Sequence, residues 1–227
     1  MGAPVVRSGR KPAAGRRPVL HDGQPLHCNW EQELLAVRDG FEIVAGIDEV
    51  GRGALCGPVV AAAVILGAGF PSEGLDDSKR LTQRQRERLS GRVRSKARAW
   101  SIGAADPGEI DRLNILRATH LAMRRAVDGL ELAPELLLID GQEVPGFEQP
   151  QRALVKGDAR SVSIAAASVI AKQERDATMR EWSKHYPEYG LARNMGYGSR
   201  AHMEALRRLG PSKIHRRSFH GTQRWLF

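Results

Sequence analysis

The middle of the chain alternates short apolar segments with polar turns, a pattern that is typical of buried β-strands. Each segment is rich in Val, Ile, Leu or Ala, and each is followed by an acidic residue or a glycine. The pattern predicts five strands, over residues 41–47, 58–66, 100–105, 135–140 and 152–156.

Outside these strands, apolar residues recur at intervals of three and four, which predicts amphipathic helices. The clearest start is Thr82 with Gln85, a capping box that precedes Leu89, Val93 and Ala97. The predicted helices cover residues 30–39, the segment after Thr82, 113–130, 163–185 and 200–209. Three consecutive strands, followed by strands that alternate with helices, indicate an α/β fold: a mixed five-stranded sheet flanked by helices, with a C-terminal helical segment.

The charge of the chain indicates a polyanionic partner. Among 227 residues, 35 are Lys or Arg and 26 are Asp or Glu, which gives a net charge of +9. Nucleic acid and acidic membrane surfaces both attract such a protein.

The longest apolar stretch, residues 57–70, is shorter than the roughly 20 residues of a spanning helix, so we expect no membrane insertion. Cys28 and Cys56 are too few for a disulfide framework or a cysteine-based zinc site, and we expect a reducing, cytoplasmic location.

The first twenty residues differ from the rest of the chain in composition. They contain five basic residues, no acidic residue and no continuous apolar segment. We interpret residues 1–20 as a basic flexible tail that adds nonspecific attraction to phosphates. An organelle transit peptide is the alternative. Residues 21–227 then form a single domain, which includes the C-terminal helical segment.

Carboxylates stand at the ends of several predicted strands. Asp48 and Glu49 close the first strand, Asp140 closes the fourth, and Asp158 follows the fifth. Strand ends from distant parts of a chain converge at one edge of an α/β sheet, and buried carboxylates are costly unless they are paired or bind a metal. Oxygen ligands without cysteine favour Mg²⁺ or Mn²⁺ over zinc. A two-metal carboxylate site in a basic protein is typical of phosphodiester hydrolysis.

The dipeptide Asp48-Glu49 raises a geometric problem, because neighbouring residues of a regular strand point to opposite faces. Either the strand ends at Asp48, or Glu49 reaches the site from the turn that follows. We expect the strand to end at Asp48.

Each acid also has a structural interpretation, since a single Asp at a strand end usually forms a turn or caps a helix. Under this alternative the protein is a non-catalytic nucleic-acid-binding module, and the nine Lys and Arg within residues 79–98 form its surface. The alternative does not explain why several apolar strands end in carboxylates, because a negative pocket does not help to bind phosphates. The histidines of the C-terminal segment show no metal-ligand spacing and are interpreted as surface or core residues: His202, His215 and His220.

Five blocks of the sequence closely resemble the signature segments of ribonuclease HII, the bacterial type 2 ribonuclease H. They occur in the order and with the spacing of that family. The blocks are GIDEVGRGALCGPVVAAAVIL (46–66), DDSKRLT (76–82), LLIDG (137–141), KGDARSVSIAAASVIAKQERD (156–176) and YPEYGLARNMGYGSRAH (186–202). The Gly-Arg-Gly of the first block disfavours the related ribonuclease HIII, which typically has Asp-Glu-Ser-Gly at this place and an additional N-terminal domain.

The resemblance implies a ribonuclease H-like fold and a metal-dependent endoribonuclease. Its substrates would be the RNA strand of RNA–DNA hybrids and single ribonucleotides embedded in duplex DNA, cut to leave 3′-hydroxyl and 5′-phosphate ends. It also implies a monomer in which four residues are catalytic and bind two Mn²⁺ or Mg²⁺ ions: Asp48, Glu49, Asp140 and Asp158.

The resemblance further implies a set of substrate contacts. The backbone of the Gly-Arg-Gly turn would contact the 2′-hydroxyl at the RNA–DNA junction, which is the group that distinguishes RNA from DNA. An aromatic ring would stack on the sugar of the next nucleotide, and polar side chains would meet backbone phosphates. These residues are Gly51, Arg52 and Gly53 for the turn, Tyr197 for the ring, and Ser78, Lys79 and Asn114 for the phosphates.

Overall fold

The computed structural model describes residues 28–76 and 78–224. The predicted basic tail, residues 1–20, lies outside the described residues, so its role stays a prediction. Within the described ranges, no helix is long and apolar enough to cross a membrane.

All five predicted strands are present and form one sheet. They are β1 (Val44–Val50), β2 (Val59–Ile65), β3 (Ala99–Ala105), β4 (Leu136–Asp140) and β5 (Gln151–Leu154). The strand order is β3-β2-β1-β4-β5. β2 pairs antiparallel with both β1 and β3, whereas β4 pairs parallel with both β1 and β5. The predicted mixed five-stranded sheet is therefore confirmed, with β1 at its centre.

Helices lie on both faces of this sheet and continue beyond it at the C-terminal end. They are α1 (Glu31–Arg38), α2 (Gln83–Lys96), α3 (Pro107–Leu113), α4 (Ile115–Asp128), α5 (Val162–His185), α6 (Leu191–Asn194), α7 (Arg200–Leu209) and α8 (His220–Gln223). The predicted capping box of α2 forms, with the Thr82 side chain and the Gln85 side chain each accepting from the other's backbone N–H. The predicted C-terminal helical segment corresponds to α6–α8.

The residues of β1 alternate between two cores. Ala45 and Ile47 belong to the core under α4. Val44 belongs to the core on the opposite face, where it packs with Ile164 of α5. Because this alternation continues to the end of the strand, consecutive residues there face different helices.

Helix α5 approaches β1 very closely, because the first turns of the helix consist mainly of small residues. A Cβ atom on Gly46 would lie 2.1 Å from the carbonyl carbon of Ser163, so only glycine permits this distance. The next residues of the helix, Ile164 through Ser168, are all buried. The close contact places the first turns of α5 directly over the end of β1.

The predicted helix over residues 113–130 is wrong in one respect, because the chain breaks at Asn114. This residue has a φ of 69° and a ψ of 164°, a backbone conformation that cannot continue a helix. Its side chain caps α4 by accepting from the backbone N–H of Arg117. The preceding turn is a separate helix, α3, whose start at Asp106-Pro107 with Glu109 forms a complete capping box.

Candidate active site

The ends of β1 and β4 bring two of the predicted carboxylates together. Ile47 of β1 pairs with Ile139 of β4 in the parallel register, so Asp48 and Asp140 follow at adjacent positions. Asp158 lies in the 3₁₀ turn Gly157–Ala159 behind β5. The negative charges of Glu49, Asp140 and Asp158 each raise the pKa of Asp48, so all three acids lie near it. The four acids therefore form one cluster at one end of the sheet.

Asp48 is the most deeply placed of these acids. It is only 4% exposed, and it lies on the α5 face of the sheet, where Ser168 donates a hydrogen bond to it. Burial raises the pKa of Asp48 well above its ordinary value, and repulsion from Glu49 and Asp140 raises this pKa further. Without a cation, an ionised Asp48 is costly at this position.

The expectation that the first strand ends at Asp48 is wrong, since β1 continues through Val50. Glu49 pairs regularly with Ala61 of β2, and its side chain consequently lies on the α4 face. Burial raises the pKa of Glu49, and Arg52, whose Nη1 lies 3.2 Å from Glu49 Oε1, opposes that rise. The two neighbouring acids thus reach the sheet end from opposite faces.

Backbone and side-chain donors hold the other two acids. Asp140 Oδ1 accepts a hydrogen bond from the backbone N–H of Gly157 at 2.6 Å. The adjacent Asp158 is 5% exposed, and its Oδ2 lies 3.6 Å from the Nζ of Lys79. The Gly157 contact ties β4 to the turn behind β5, which fixes Asp158 relative to Asp140.

A cavity of about 310 Å³ opens between β1, β4 and α4. Glu49 and Asp140 line it on the sheet side, and His120 lines it on the helix side. Burial lowers the pKa of His120, and the nearby Arg124 and Arg52 lower it further. The cavity gives solvent and small ions access to the carboxylates.

This donor set fits hard divalent cations. The clustered atoms are carboxylate oxygens, with no thiol or imidazole nitrogen among the four acids, and such ligands favour Mg²⁺ or Mn²⁺. Burial is the main cause of the raised pKa of Asp48, and repulsion from the neighbouring acids adds to it; cations would neutralise that repulsion. The cluster can therefore hold divalent cations.

The Gly51-Arg52-Gly53 turn leads directly out of β1, next to the cluster. Gly51 is buried with a φ of +94°, and a Cβ atom there would lie 2.2 Å from Nε of Arg175, so glycine is required. Gly53 is exposed, and a Cβ atom there would meet nothing within 4 Å. From below, the Arg216 guanidinium donates to the Arg52 carbonyl at 2.9 Å. Buried contacts therefore fix the backbone of the turn at Gly51 and Arg52, whereas Gly53 is accessible to a ligand.

Tyr197 lies in a second loop that contacts the same segment. Its side chain is 38% exposed, and the Arg175 guanidinium lies 5.3 Å from the centre of its ring. Arg175 also donates to the carbonyl of Met195, at 2.9 Å, and to the carbonyl of Pro58, at 3.0 Å. One buried arginine therefore holds the Tyr197 loop against the segment that follows the Gly-Arg-Gly turn.

The three predicted phosphate contacts occupy different surroundings. Ser78 is buried, and its hydroxyl oxygen lies 2.9 Å from the hydroxyl oxygen of Ser168, behind Asp48. Lys79 is exposed beside Asp158. Asn114 lies apart from both, at the start of α4, where Leu116 of the next turn lines the cavity. The structure brings Ser78 and Lys79 to the carboxylate cluster and leaves Asn114 on the opposite face.

Three residues that support the site are not predicted by the sequence: Ser168, Arg175 and Arg216. Both arginines are 0% exposed, which is rare for this residue type and cannot be predicted from a basic sequence. Ser168 lies within the alanine-rich start of α5, which predicts close packing but gives no signal for a hydrogen bond to Asp48.

The comparisons with known proteins match this chain over nearly all of the described fold. The family model for ribonuclease HII matches residues 45–222. A ribonuclease HII of Desulfitobacterium hafniense (strain Y51) is 55% identical over 207 residues, which cover 91% of this chain and 80% of the relative.

Solved structures show the same architecture. The ribonuclease H2 from Pyrococcus horikoshii OT3 has a TM-score of 0.69 at 26% identity, over 80% of this chain and 96% of that chain. Bst-RNase HIII in complex with Mn²⁺ has a TM-score of 0.67 at 21% identity, over 91% of this chain and 77% of that chain. The predicted ribonuclease H-like fold is therefore confirmed.

The family match also covers the whole candidate site. It begins within β1 and ends within α8, so it includes the four carboxylates, the Gly-Arg-Gly turn and the Tyr197 loop. The chain belongs to the ribonuclease HII family and is an endoribonuclease, a ribonuclease H.

Proposed function

We propose that this ribonuclease H uses divalent cations to cleave RNA–DNA hybrids and also single ribonucleotides embedded in duplex DNA. Cleavage would leave 3′-hydroxyl and 5′-phosphate ends. The observation that carries the proposal is the cluster of four carboxylates at one end of the sheet, whose mutual repulsion contributes to the raised pKa of Asp48. A cluster of this kind is favourable at neutral pH when cations lie between the acids.

Asp48, Glu49, Asp140 and Asp158 would hold two Mn²⁺ or Mg²⁺ ions. When bound, the two ions supply activation of the attacking water and stabilisation of the departing 3′ oxygen. The protein's own part is to orient the carboxylates: Ser168 donates to Asp48, and the Gly157 N–H donates to Asp140. The Mn²⁺ bound by Bst-RNase HIII, a protein of the same fold, supports this choice of cation.

The open outer side of the Gly-Arg-Gly turn supports recognition of a 2′-hydroxyl by backbone groups. The half-exposed ring of Tyr197 would stack on the sugar of the following nucleotide. Lys79 is exposed and would contact a phosphate, whereas Ser78 is buried and would contribute through its position behind the cluster. Asn114 remains a further proposed phosphate contact. The two loops together would recognise a junction in which RNA is followed by DNA.

The alternative, a non-catalytic binding module, requires that the acids act as turn formers or caps. Asp48 does not fit that role, because it lies inside a paired strand with 4% exposure. A binding module for phosphates would gain nothing from the cost of burying this acid. The alternative therefore explains the net charge of +9 but not the position of Asp48.

We further propose that the protein acts as a monomer in the cytoplasm. Cys28 and Cys56 are both free, and Cys56 is buried, which suits a reducing compartment. The nucleic acid itself is the partner that the basic surface and the carboxylate cluster require.

The proposal is tested with a duplex DNA that carries one ribonucleotide and with a continuous RNA–DNA hybrid, each incubated with Mn²⁺ or with EDTA. We expect cleavage of both with Mn²⁺ and none with EDTA. Asp48→Asn keeps the shape of the side chain and removes its charge, so we expect kcat/KM to fall by a factor of about 10³ or more. Asp128→Asn makes the same chemical change at the exposed end of α4 and should leave kcat/KM unchanged. Activity of Asp48→Asn within tenfold of the parent would contradict the proposed site.

The same variant has a second readout in metal-free protein. Because the pKa of Asp48 is raised in the folded state, its ionisation destabilises the fold at neutral pH. We expect Asp48→Asn to increase the free energy of unfolding in EDTA at pH 7. This gain should shrink as the pH falls through the raised pKa and vanish below the ordinary pKa of Asp, about 3.9. A gain that does not depend on pH would contradict the electrostatic argument.

A further inference from the structure

Two histidines of the C-terminal segment meet in the core next to the Tyr197 loop. His202 of α7 is 0% exposed and His215 is 1% exposed, and their Nε2 atoms are 3.1 Å apart. The Sγ of buried Cys56 lies close by, and the three side-chain donor atoms are within 4.8 Å of one another. Such a group is either a metal site or a hydrogen-bonded pair, and the backbone around it decides between the two.

The outer ring nitrogens are fixed by backbone groups whose roles cannot change. His202 Nδ1 lies 2.9 Å from the carbonyl oxygen of Tyr197, which can only accept, so Nδ1 must carry a proton. His215 Nδ1 lies 3.0 Å from the backbone N–H of Ser212, which can only donate, so this Nδ1 must be unprotonated. In neutral rings the remaining proton of the pair is then on His215 Nε2, which donates to His202 Nε2.

This assignment excludes the metal. A metal between the rings would need lone pairs on both Nε2 atoms, but His215 Nε2 carries a proton in the only neutral arrangement that satisfies both backbone groups. The positive guanidinium groups of Arg175 and Arg216 also act on Cys56, which further disfavours a cation there. Burial lowers the pKa of both histidines, that of His215 to about 4, in agreement with a neutral pair.

The chain of hydrogen bonds connects the two loops of the proposed recognition surface. At one end it reaches the Tyr197 carbonyl, which also accepts from the Ser199 N–H at 2.7 Å. At the other end His215 forms an antiparallel bridge with Cys56, three residues beyond Gly53. The Leu55 N–H donates to the Gly196 carbonyl at 2.8 Å, which brings the same two segments together directly.

We infer that His202 and His215 are positioning residues for the specificity of the enzyme. Their neutral pair fixes the carbonyl of Tyr197 and so holds the Tyr197 ring at a set distance from the Gly-Arg-Gly turn. The inference rests on the proposed role of these two loops in recognising an RNA–DNA junction. The histidine pair would determine the preference for a single ribonucleotide over a continuous hybrid. It would take no part in hydrolysis itself.

The protonation pattern is measured first, in the full-length wild-type protein, by long-range ¹H–¹⁵N NMR correlation of the histidine rings at pH 7. We expect His202 protonated at Nδ1 and His215 protonated at Nε2. His202→Asn and the exposed-site control His185→Asn assign the signals. The opposite protonation pattern, or one equivalent of zinc in the purified protein, would overturn the inference.

The second measurement is the ratio of kcat/KM for a single embedded ribonucleotide to kcat/KM for a continuous hybrid. His202→Leu removes the donor to Tyr197, and we expect the ratio to fall about five- to tenfold, the effect of one hydrogen bond. His202→Asn keeps a donor near the position of Nδ1 and should restore the ratio to within about twofold of the parent. Cys56→Ala, which would break a metal site, should leave the ratio unchanged.

The two measurements separate the failure of this inference from that of the proposed function. An unchanged ratio in a folded His202→Leu protein would overturn the inference while the cleavage assay stands. If wild-type protein cleaves neither substrate, the proposed function fails, and the NMR pattern still tests the histidine pair. Should His202→Leu fail to fold, the comparison of His202→Asn with the parent and the wild-type NMR pattern decide.

Discussion

Two buried arginines connect the two loops that we propose recognise the substrate, the Gly-Arg-Gly turn and the Tyr197 loop. Arg175 donates to the carbonyls of Pro58, Cys56 and Met195, and Arg216 donates to the carbonyl of Gly57. Burial lowers the pKa of Arg216 to about 9, which reflects the cost of removing its charge from water. Hydrogen bonds to backbone carbonyls offset that cost, so each guanidinium connects several loop segments through its N–H groups.

At the residue scale, Tyr197 gives the sharpest test of specificity. A ring packed on a deoxyribose favours DNA at that nucleotide, because a 2′-hydroxyl would crowd the ring face. We expect Tyr197→Ala to lower kcat/KM at a single embedded ribonucleotide by about 10- to 100-fold. Cleavage of a continuous hybrid should fall much less, because there the following sugar already carries a hydroxyl.

Tyr197→Phe is the matched control for the ring itself. It keeps the aromatic face above Arg175 and loses only the phenol oxygen, so its effect on both substrates should be smaller than that of Tyr197→Ala. Equal losses on the two substrates with Tyr197→Ala would mean that the residue has a general structural role, and the junction assignment would be withdrawn.

The sequence predicted which acids lie together, but not the face of the sheet on which each side chain lies. Apolar strands that end in carboxylates identify Asp48, Asp140 and Asp158 as neighbours, because parallel strand ends meet. The face of the sheet on which the Glu49 side chain lies depends on where β1 ends. Pairing with β2 extends β1 to Val50. The pairing with the next strand made that difference, and the composition of β1 alone does not encode it.

At the element scale, the contact between β1 and α5 determines whether Ser168 reaches Asp48. The contact depends on Gly46, where a Cβ atom would collide with the backbone of Ser163 at 2.1 Å. Backbone atoms cannot rotate away as a side chain can. The alanine run at the start of α5 permits this proximity, since small residues on a buried face leave room for it.

We therefore expect Gly46→Ala to lower the free energy of unfolding by about 3 kcal/mol or more. Gly91→Ala is the matched control, because Gly91 is exposed within helix α2 and a Cβ atom there would meet nothing within 4 Å. Helix propensity alone should then raise the stability of that variant by about 0.5–1 kcal/mol. Urea denaturation measures both changes, and a neutral Gly46→Ala would mean that α5 can move away from the sheet.

The break between α3 and α4 shows where element prediction failed. The apolar spacing of residues 113–130 continues across Asn114, so periodicity alone predicts one helix. The capping signals contradict it: Asp106, Pro107 and Glu109 begin one helix, and Asn114 caps the next. Those signals are present in the sequence, and the positive φ of Asn114 shows that they outweigh the periodicity.

At the scale of the whole molecule, positive charge surrounds a small negative site. The cluster of four acids attracts cations, and the basic residues around it attract the phosphates of the duplex. Helix α2 contributes Arg84 and Arg88, both exposed. The net charge of +9 thus supports binding to nucleic acid in general, while the local negative charge supports chemistry at one phosphate.

Residues 1–20 add five positive charges and no negative charge to this surface. Binding that depends on released counterions weakens with salt, with a slope of about −0.9 in log K against log salt for each phosphate contacted on duplex DNA. We expect deletion of residues 1–20 to weaken duplex binding and to make its salt dependence shallower, while kcat at saturating substrate stays unchanged. A full-length variant with the five basic residues replaced by Gln should behave like the deletion, because the charge and not the chain length carries the effect. Binding titrations from low to high salt measure both slopes. If the deletion protein fails to fold, or if the Gln variant binds like the parent, the segment acts through structure and the electrostatic interpretation is wrong.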